Sequence, residues 1–208
     1  MKQYSKAVLL ALAISIAFAG CMGGKVKYPT YYTLQVPPAP DPSAGETARG
    51  SLAVREFTSP GYLRQGAIVY RVTPEQIGFY DYHRWAMNPR EFVTNAIVDR
   101  LRASGAFASV KLYDGRSDVD YILGGRLEKL EELDYGGGVR VEVAMSAQIT
   151  NLKTGTTVWT NAVDEVERVE QHSVPGIVSE MNQAMERSIE KFVSSVHIFQ
   201  AVHSERQP

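Results

Sequence analysis

Four carboxylates lie close together in the chain and are the first candidates for catalysis: Glu128, Glu131, Glu132 and Asp134. Two carboxylates can divide the work of general acid and general base. Asp and Glu side chains are nevertheless usually exposed to solvent, so we interpret the cluster as the charged end of a β-hairpin. The sequence has no Gly-x-Ser-x-Gly nucleophile elbow. The residues therefore predict no catalytic site.

The histidines and the single cysteine do not form a metal-ligand pattern. The four histidines are His83, His172, His197 and His203. Structural zinc sites use Cys and His ligands at short, regular spacings, which these residues do not have. We therefore predict neither a bound metal nor a cofactor.

The sequence around Cys21 indicates a different chemistry, which is lipidation. Lys2 and Lys6 precede an apolar run over residues 7–19. The run is shorter than the ~20 apolar residues that span a bilayer, and it fits a secretory signal peptide. The segment Phe18-Ala19-Gly20-Cys21 resembles a bacterial lipobox, in which the cysteine is acylated and becomes the new N-terminus. The alternative is a plain signal peptide that is followed by a cysteine.

Lipidation would hold the protein on a membrane without a spanning segment. We predict a signal peptide over 1–20 and a lipidated tether over 21–30. Met22, and not Asp, follows the cysteine. In enterobacterial sorting this favours the periplasmic face of the outer membrane, and the inner membrane is the alternative.

The composition is that of one ordinary globular domain. The chain has 208 residues, of which 44% are hydrophobic and 22% charged. Lys and Arg total 22 and Asp and Glu total 23, so no basic excess indicates a nucleic acid as partner. We predict one domain over 31–199 and a polar tail over 200–208.

The pattern of apolar residues predicts eight strands and two helices. Asn88 can cap a helix that starts at Pro89 and ends at Gly105, and a second apolar stripe predicts a helix over 175–197. The predicted strands cover 31–36, 51–57, 67–72, 77–85, 110–113, 120–133, 139–150 and 157–170. A turn is expected at 59–62, and Gly124-Gly125 would mark a bulge. The fold class is α/β: a single domain with a mixed, largely antiparallel sheet and two principal helices.

Aromatic residues are concentrated between positions 62 and 85: Tyr62, Tyr70, Phe79, Tyr80, Tyr82 and Trp85. Aromatic side chains are enriched at recognition surfaces. They equally fit a sheet edge that packs on the core, and both interpretations remain open. Because side chains alternate along a strand, some of those in 79–85 should be exposed unless a loop covers them.

The order of several short motifs resembles a known family. Tyr31-Tyr32-Thr33-Leu34 follows the lipobox, and 60–63 (Pro-Gly-Tyr-Leu) precedes 68–71 (Ile-Val-Tyr-Arg). Tyr82-His83-Arg84-Trp85 then leads to the helix start at Pro89, and Asp120-Tyr121 opens a strand. In this order the motifs resemble the ABC-type transport auxiliary lipoprotein family, which includes paraquat-inducible protein C.

The resemblance implies a fold akin to the anticodon-binding or TolB N-terminal type. It also implies a non-catalytic, accessory role beside MCE proteins and their ABC permease and ATPase, which move phospholipids or other hydrophobic molecules between membranes. A partner protein is then the expected ligand, with lipid as a second candidate. The candidate partner-binding residues are Tyr62, Arg71, Tyr82 and Trp85.

Two other functions compete with this one. A structural envelope lipoprotein, which would assist outer-membrane assembly or bind peptidoglycan, fits the same anchor and domain. A hydrolase fits less well, since no polar residue stands out as a nucleophile or a base.

Overall fold

A computed structural model describes residues 26–38, 50–116 and 118–204 of the chain. The predicted signal peptide and Cys21 lie outside the described residues, as do most of the loop that precedes position 50 and the last four residues. Within the described ranges, no helix is long and apolar enough to cross a membrane.

The described residues form one eight-stranded sheet. The strands are β1 (Thr30–Tyr32), β2 (Ser51–Val54), β3 (Ala67–Arg71), β4 (Ile77–Trp85), β5 (Ser109–Leu112), β6 (Tyr121–Leu133), β7 (Arg140–Asn151) and β8 (Thr157–Arg168). The helices are α1 (Pro89–Ser104), α2 (Val174–Ser204) and a 3-10 helix over Gly61–Gln65. β1 and β2 are shorter than predicted, the turn expected at 59–62 runs into the 3-10 helix, and α2 extends into the segment expected to be a polar tail.

Strand β6 is the centre of the sheet. One of its edges pairs in parallel with β2 near its start and with β3 at its end. Its other edge forms a long antiparallel ladder with β7, which continues into β8. β4 and β1 extend the sheet beyond β3, and β5 extends it beyond β2. The mixed sheet and its antiparallel meander are as predicted.

Helix α1 begins and ends at the residues that the sequence indicates. The Asn88 side chain accepts a hydrogen bond from the Arg90 backbone N–H at 3.2 Å, which satisfies a donor that the first helical turn leaves free. Gly105 has a φ of 65°, in the left-handed region that glycine adopts without strain. Its N–H donates to the Arg102 carbonyl, and the helix stops there.

Helix α2 covers one face of the β7–β8 hairpin and fills the core. The Phe192 ring lies 5.1 Å from that of Trp159 and 6.4 Å from that of Phe57, between ring centroids. The Trp159 indole N–H donates to the Ser195 hydroxyl at 3.3 Å. Full burial of a large apolar side chain such as Phe192 contributes about 1.5–3 kcal/mol. We call the sheet side that α2 covers the helix face and the other side the open face.

A bulge in β6 occurs at Glu128. Leu127 pairs with Met145 and Lys129 with the next residue, Ala144, so Glu128 has no partner on β7. The bulge expected at Gly124-Gly125 is absent, because both glycines pair in regular register. Because of the extra residue, Leu127 and Leu130 both point into the core, although they are three positions apart.

A larger irregularity separates β4 from β3. Ala67 pairs with Arg84, but Val69 pairs with Phe79. One residue of β3 therefore lies opposite four residues of β4, and residues 80–83 are pushed away from β3. We call this segment the β4 arch.

Candidate functional site

Only part of the carboxylate cluster is the solvated hairpin end that we expected: Asp134 is exposed and Glu128 partly so, but Glu131 and Glu132 are buried. Glu131 is only 1% exposed, and its Oε1 lies 2.5 Å from Nε of Arg71. The hydrogen bond to Glu131 raises the pKa of the Arg71 guanidinium, which stays charged at every physiological pH. The interpretation of Glu131 as a surface charge is wrong, because its partner is 60 positions earlier in the chain.

Tyr62 and Arg71, two of the candidate partner-binding residues, both contact this buried carboxylate or its surroundings. The Tyr62 hydroxyl donates to the Glu128 carbonyl at 3.3 Å, and the Arg71 guanidinium lies 6.0 Å from the centre of the Tyr62 ring. Burial, followed by the charge of Glu131, raises the pKa of Tyr62. These contacts hold the 3-10 helix against β6 on the open face. Both side chains therefore have internal roles.

Trp85 does not present a surface. It lies at the end of β4, is 5% exposed and belongs to the main hydrophobic core. A partner cannot reach it in this fold, so its assignment as a partner-binding residue is corrected to a core residue.

Tyr82 is accessible, and two more exposed tyrosines lie on or just before β1, the strand that pairs with β4. It is 44% exposed on the β4 arch, and the ammonium nitrogen of Lys27 lies 5.2 Å from the centre of its ring. Tyr28 and Tyr31, at the start of the described chain, are 80% and 60% exposed. Strand β1, which contains Tyr31, pairs only with β4 among the described strands. We call Tyr28, Tyr31 and Tyr82 the tyrosine edge.

Glu132 lies on the opposite side of β6 from Glu131 and is also buried, at 5% exposure. The Tyr80 hydroxyl donates a hydrogen bond to its Oε2 at 2.8 Å. Among the described residues, no Lys or Arg forms an ion pair with it. Burial raises the pKa of Glu132, and the nearby charge of Asp134 acts in the same direction, whereas the hydrogen bond from Tyr80 and the charge of His172 oppose this shift. The prediction of a solvated side chain is wrong for this residue too.

Glu132 lines a cavity of about 390 Å³ between the β4 arch and the end of β6. We call it the aromatic–acid pocket. Its lining residues are Tyr70, Phe79, Tyr80, Asp81, Tyr82, His83, Glu132 and Asp134. The Tyr80 ring lies 5.1 Å from that of Tyr70 and 5.7 Å from that of His83, edge to face in both cases. Sequence reasoning singled out the aromatic segment and the carboxylates separately. It missed the pocket because the arch that brings them together is an irregularity of pairing.

A wider groove crosses the open face of β6, β7 and β8, with a volume of about 760 Å³. Its floor consists of short or polar side chains, among them Gly124, Ser146 and Gln148. Arg126, at its rim, forms an ion pair with Glu128 at 2.7 Å. Within the described ranges, no group of three or more His, Cys, Asp or Glu could hold a metal ion.

Comparison with known families matches residues 32–191, which include strands β2 to β8, the last residue of β1 and more than half of α2. The chain belongs to the ABC-type transport auxiliary lipoprotein component family. This confirms the resemblance seen in the sequence. The family consists of lipoproteins that act as auxiliary components of ABC-type transport, which is a membrane-attached and accessory role in the cell envelope.

Solved structures show the same fold at low sequence identity. A Xanthomonas campestris protein of the DUF330 family is 19% identical, with a TM-score of 0.73 over 85% of this chain and 99% of its own. An uncharacterised protein is 15% identical, with a TM-score of 0.60 over 80% and 97%. A hypothetical protein of Chlamydia trachomatis is 8% identical, with a TM-score of 0.51 over 74% and 99%. No curated protein matches the chain.

Proposed function

We propose that this chain is the lipid-anchored periplasmic accessory subunit of an MCE/ABC-type system that moves phospholipids between membranes. It acts by docking to an MCE-family protein, together with its ABC permease and ATPase, and not by catalysis. Membership of the transport auxiliary family supports the association with an ABC transporter. The single structural observation that carries the docking role is the tyrosine edge.

The tyrosine edge has the composition of a protein contact surface. Tyrosine is enriched in protein interfaces, and charged residues are depleted at the centres of these interfaces. Tyr28, Tyr31 and Tyr82 expose large rings, although exposed aromatic side chains are costly in water. Among the described strands β1 pairs only with β4, so its other side is an edge to which a partner strand can add. Of the four candidate partner-binding residues, Tyr82 is the one that belongs to this edge.

The position of the edge fits a protein held by acylated Cys21. Val26, the first described residue, follows Cys21 by five positions. An extended chain covers about 3.4 Å per residue, so the five positions from Cys21 to Val26 span at most roughly 17 Å and the whole tether to residue 30 about 30 Å. The tyrosine edge would then lie near the anchoring membrane, which we take to be the outer membrane because Met22 follows the cysteine. A partner that arrives from the inner membrane would meet it there.

Site-specific photocrosslinking in intact envelopes tests the docking role. A photoreactive amino acid replaces Tyr31 or Tyr82 in the native acylated chain, and crosslinked proteins are identified by mass spectrometry. The matched control replaces Gln148, which is exposed on the open face. We expect an MCE protein to crosslink from Tyr31 and Tyr82 and not from Gln148.

Each other outcome has a defined meaning. Crosslinks to an MCE protein from Gln148 alone would keep the transport role and move the contact to the open face. Recovery of only outer-membrane assembly factors or peptidoglycan fragments would overturn the transport role and favour a structural envelope lipoprotein.

The anchor needs its own experiment. Mass spectrometry of the N-terminal peptide should show an acylated Cys21, and Cys21→Ser should release the protein from the membrane fraction. An unmodified cysteine at the N-terminus would indicate a plain signal peptide and contradict the lipoprotein assignment of this chain.

A further inference from the structure

The aromatic–acid pocket is lined by four Tyr or Phe side chains, three carboxylates and one histidine. Tyr70, Phe79, Tyr80, Tyr82 and His83 provide rings, and Asp81, Glu132 and Asp134 provide carboxylates. No Lys or Arg side chain is part of this lining. The faces of aromatic rings carry partial negative charge. A cavity with such walls and with three carboxylates attracts a cation.

Glu132 is the residue of this pocket that the fold alone does not explain. A buried carboxylate normally has a cationic partner, because removing an unpaired charge from water is costly. Glu132 accepts a hydrogen bond from the Tyr80 hydroxyl at 2.8 Å, and the charge of His172 favours its ionised form, but no Lys or Arg of the described residues forms an ion pair with it. Groups that are kept at the expense of stability are frequent at functional sites. A cation bound in the cavity would supply the missing counter-charge.

Two of the rings line the pocket together with Glu132, and organic ammonium groups bind to such rings. Such groups bind within about 6 Å of an aromatic ring centre. The Tyr70 and Tyr80 rings are 5.1 Å apart, edge to face, next to the carboxylate. One wall of the pocket already has an ammonium group on it, since Nζ of Lys27 lies 5.2 Å from the centre of the Tyr82 ring. A small metal ion would instead need several oxygen ligands, and no such group is present in the described chain.

We infer that the aromatic–acid pocket binds an organic ammonium group, with Glu132 as its counter-charge and Tyr70 and Tyr80 as its aromatic walls. The group belongs either to a small free amine or to the headgroup of a zwitterionic lipid. The inference goes beyond docking and does not depend on it, because Glu132, Tyr70 and Tyr80 are not part of the tyrosine edge.

Calorimetric titration of the full mature lipoprotein in a non-ionic maltoside detergent tests this inference. The probes are choline, ethanolamine and 3,3-dimethylbutan-1-ol, which is the neutral analogue of choline. At least one of the two ammonium probes should bind about tenfold more tightly than the alcohol. Equal affinity for the alcohol, or no binding of either ammonium probe, would overturn the inference.

Glu132→Gln is the decisive variant. It removes the charge and keeps the shape, and it should weaken ammonium binding about tenfold. The loss would not reflect unfolding, because removal of an unpaired buried charge is expected to stabilise the fold. The matched control is Glu75→Gln, which removes an exposed carboxylate between β3 and β4 that is outside the pocket. An equal loss of affinity in both variants would show that the effect comes from the net charge of the protein. It would contradict a role for the pocket.

Mixed micelles distinguish the two sources of the ammonium group. Micelles with phosphatidylethanolamine or phosphatidylcholine should compete with the free probe if the ligand is a headgroup, and micelles with phosphatidylglycerol should not. Competition by phosphatidylglycerol alone would overturn the inference. A failed crosslink from Tyr31 combined with normal ammonium binding would reject the docking surface and leave the pocket intact.

Discussion

Glu131 and Glu132 are neighbours on β6, yet they meet opposite environments. Both are almost fully buried. Glu131 faces the 3-10 helix on the open face and has an ion pair with Arg71. Glu132 faces the aromatic–acid pocket and has a single hydrogen bond from a phenol. The difference shows that burial alone does not determine whether a carboxylate stabilises or destabilises the fold. The sign of its contribution to stability depends on its partner.

The largest effect is expected when the ion pair is broken. Glu131→Gln leaves the Arg71 guanidinium without a counter-charge and places an amide N–H₂ group where Oε2 now has no hydrogen-bond partner. We expect the free energy of unfolding to fall by about 3 kcal/mol, the low end for a buried pair, because Arg71 is partly exposed. Urea denaturation followed by circular dichroism measures this loss.

A double-mutant cycle provides the control for this pair. Combining Glu131→Gln with Arg71→Met removes both charges, so the double variant should be clearly more stable than the sum of the single losses predicts. Additive losses would show that the two charges do not stabilise each other.

Gly124 and Gly125 are a second pair of neighbouring residues on opposite faces of β6. Substituting them compares the two faces without changing a charge. A Cβ on Gly125 would lie 2.3 Å from the ring of the buried Phe57, whereas one on Gly124 would meet nothing within 4 Å. Gly125→Ala should therefore cost about 2 kcal/mol through overpacking. Gly124→Ala should stay within about 0.5 kcal/mol of the parent. Equal melting temperatures for the two variants would contradict the assignment of faces.

Glu132→Gln is expected to act in the opposite direction from Glu131→Gln and to raise stability at neutral pH by about 1 kcal/mol, a usual size for one stabilising change. The folded state raises the pKa of Glu132, so the folded protein binds the proton more tightly than the unfolded chain. The charged form therefore destabilises the parent fully above the folded-state pKa, and this penalty disappears below the unfolded value of about 4.3. Melting temperatures of parent and variant should converge as the pH falls towards 4. A difference in melting temperature that widens as the pH falls would contradict the direction of this pKa shift.

The smallest effect concerns Asp120, directly before β6. Its Oδ2 accepts hydrogen bonds from the Ser51 backbone N–H at 2.7 Å and hydroxyl at 2.8 Å, and these lower the pKa of Asp120. The stabilisation is present above the unfolded value of about 3.9 and is lost as the pH falls through the folded-state pKa. Asp120→Asn should reduce stability by less than about 1 kcal/mol at pH 7, because the site is exposed. The difference should shrink once the pH falls below the unfolded value of about 3.9. The stabilities of Asp120→Asn and Glu132→Gln relative to the parent should change with pH in opposite directions. Measuring both variants tests the comparison most directly.

The sequence predicts well those features that depend on nearby residues. The limits of α1 follow from a capping Asn88 and a left-handed Gly105, and the meander of β6, β7 and β8 follows from alternation over long strands. The family resemblance rests on the order of short motifs, most of them in or beside β1, the 3-10 helix, β3 and the end of β4. For these features each residue acts on neighbours a few positions away.

Residues whose role depends on distant partners could not be placed in this way. The buried Glu131 and Glu132 have Arg71 and Tyr80 as hydrogen-bond partners, which lie 60 and 52 positions earlier in the chain. Tyr82 lies in the β4 arch and Trp85 just after it, where alternation no longer says which side chain points inward. Cys21 lies outside the described residues, so its acylation stays a prediction.

The bulge at Glu128 gives β6 one residue more than its pairing needs. Deletion of Glu128 alone would let Lys129 follow Leu127 in regular register, and every later side chain would keep its face. Deletion of Glu128 together with Lys129 would turn Leu130 towards the open face and Glu131 into the core. Strand β6 can therefore tolerate the deletion of one residue at the bulge, but not the deletion of two. We expect relatives to vary in loop length, whereas the segment from Gly125 to Glu132 differs among them by at most a single insertion or deletion.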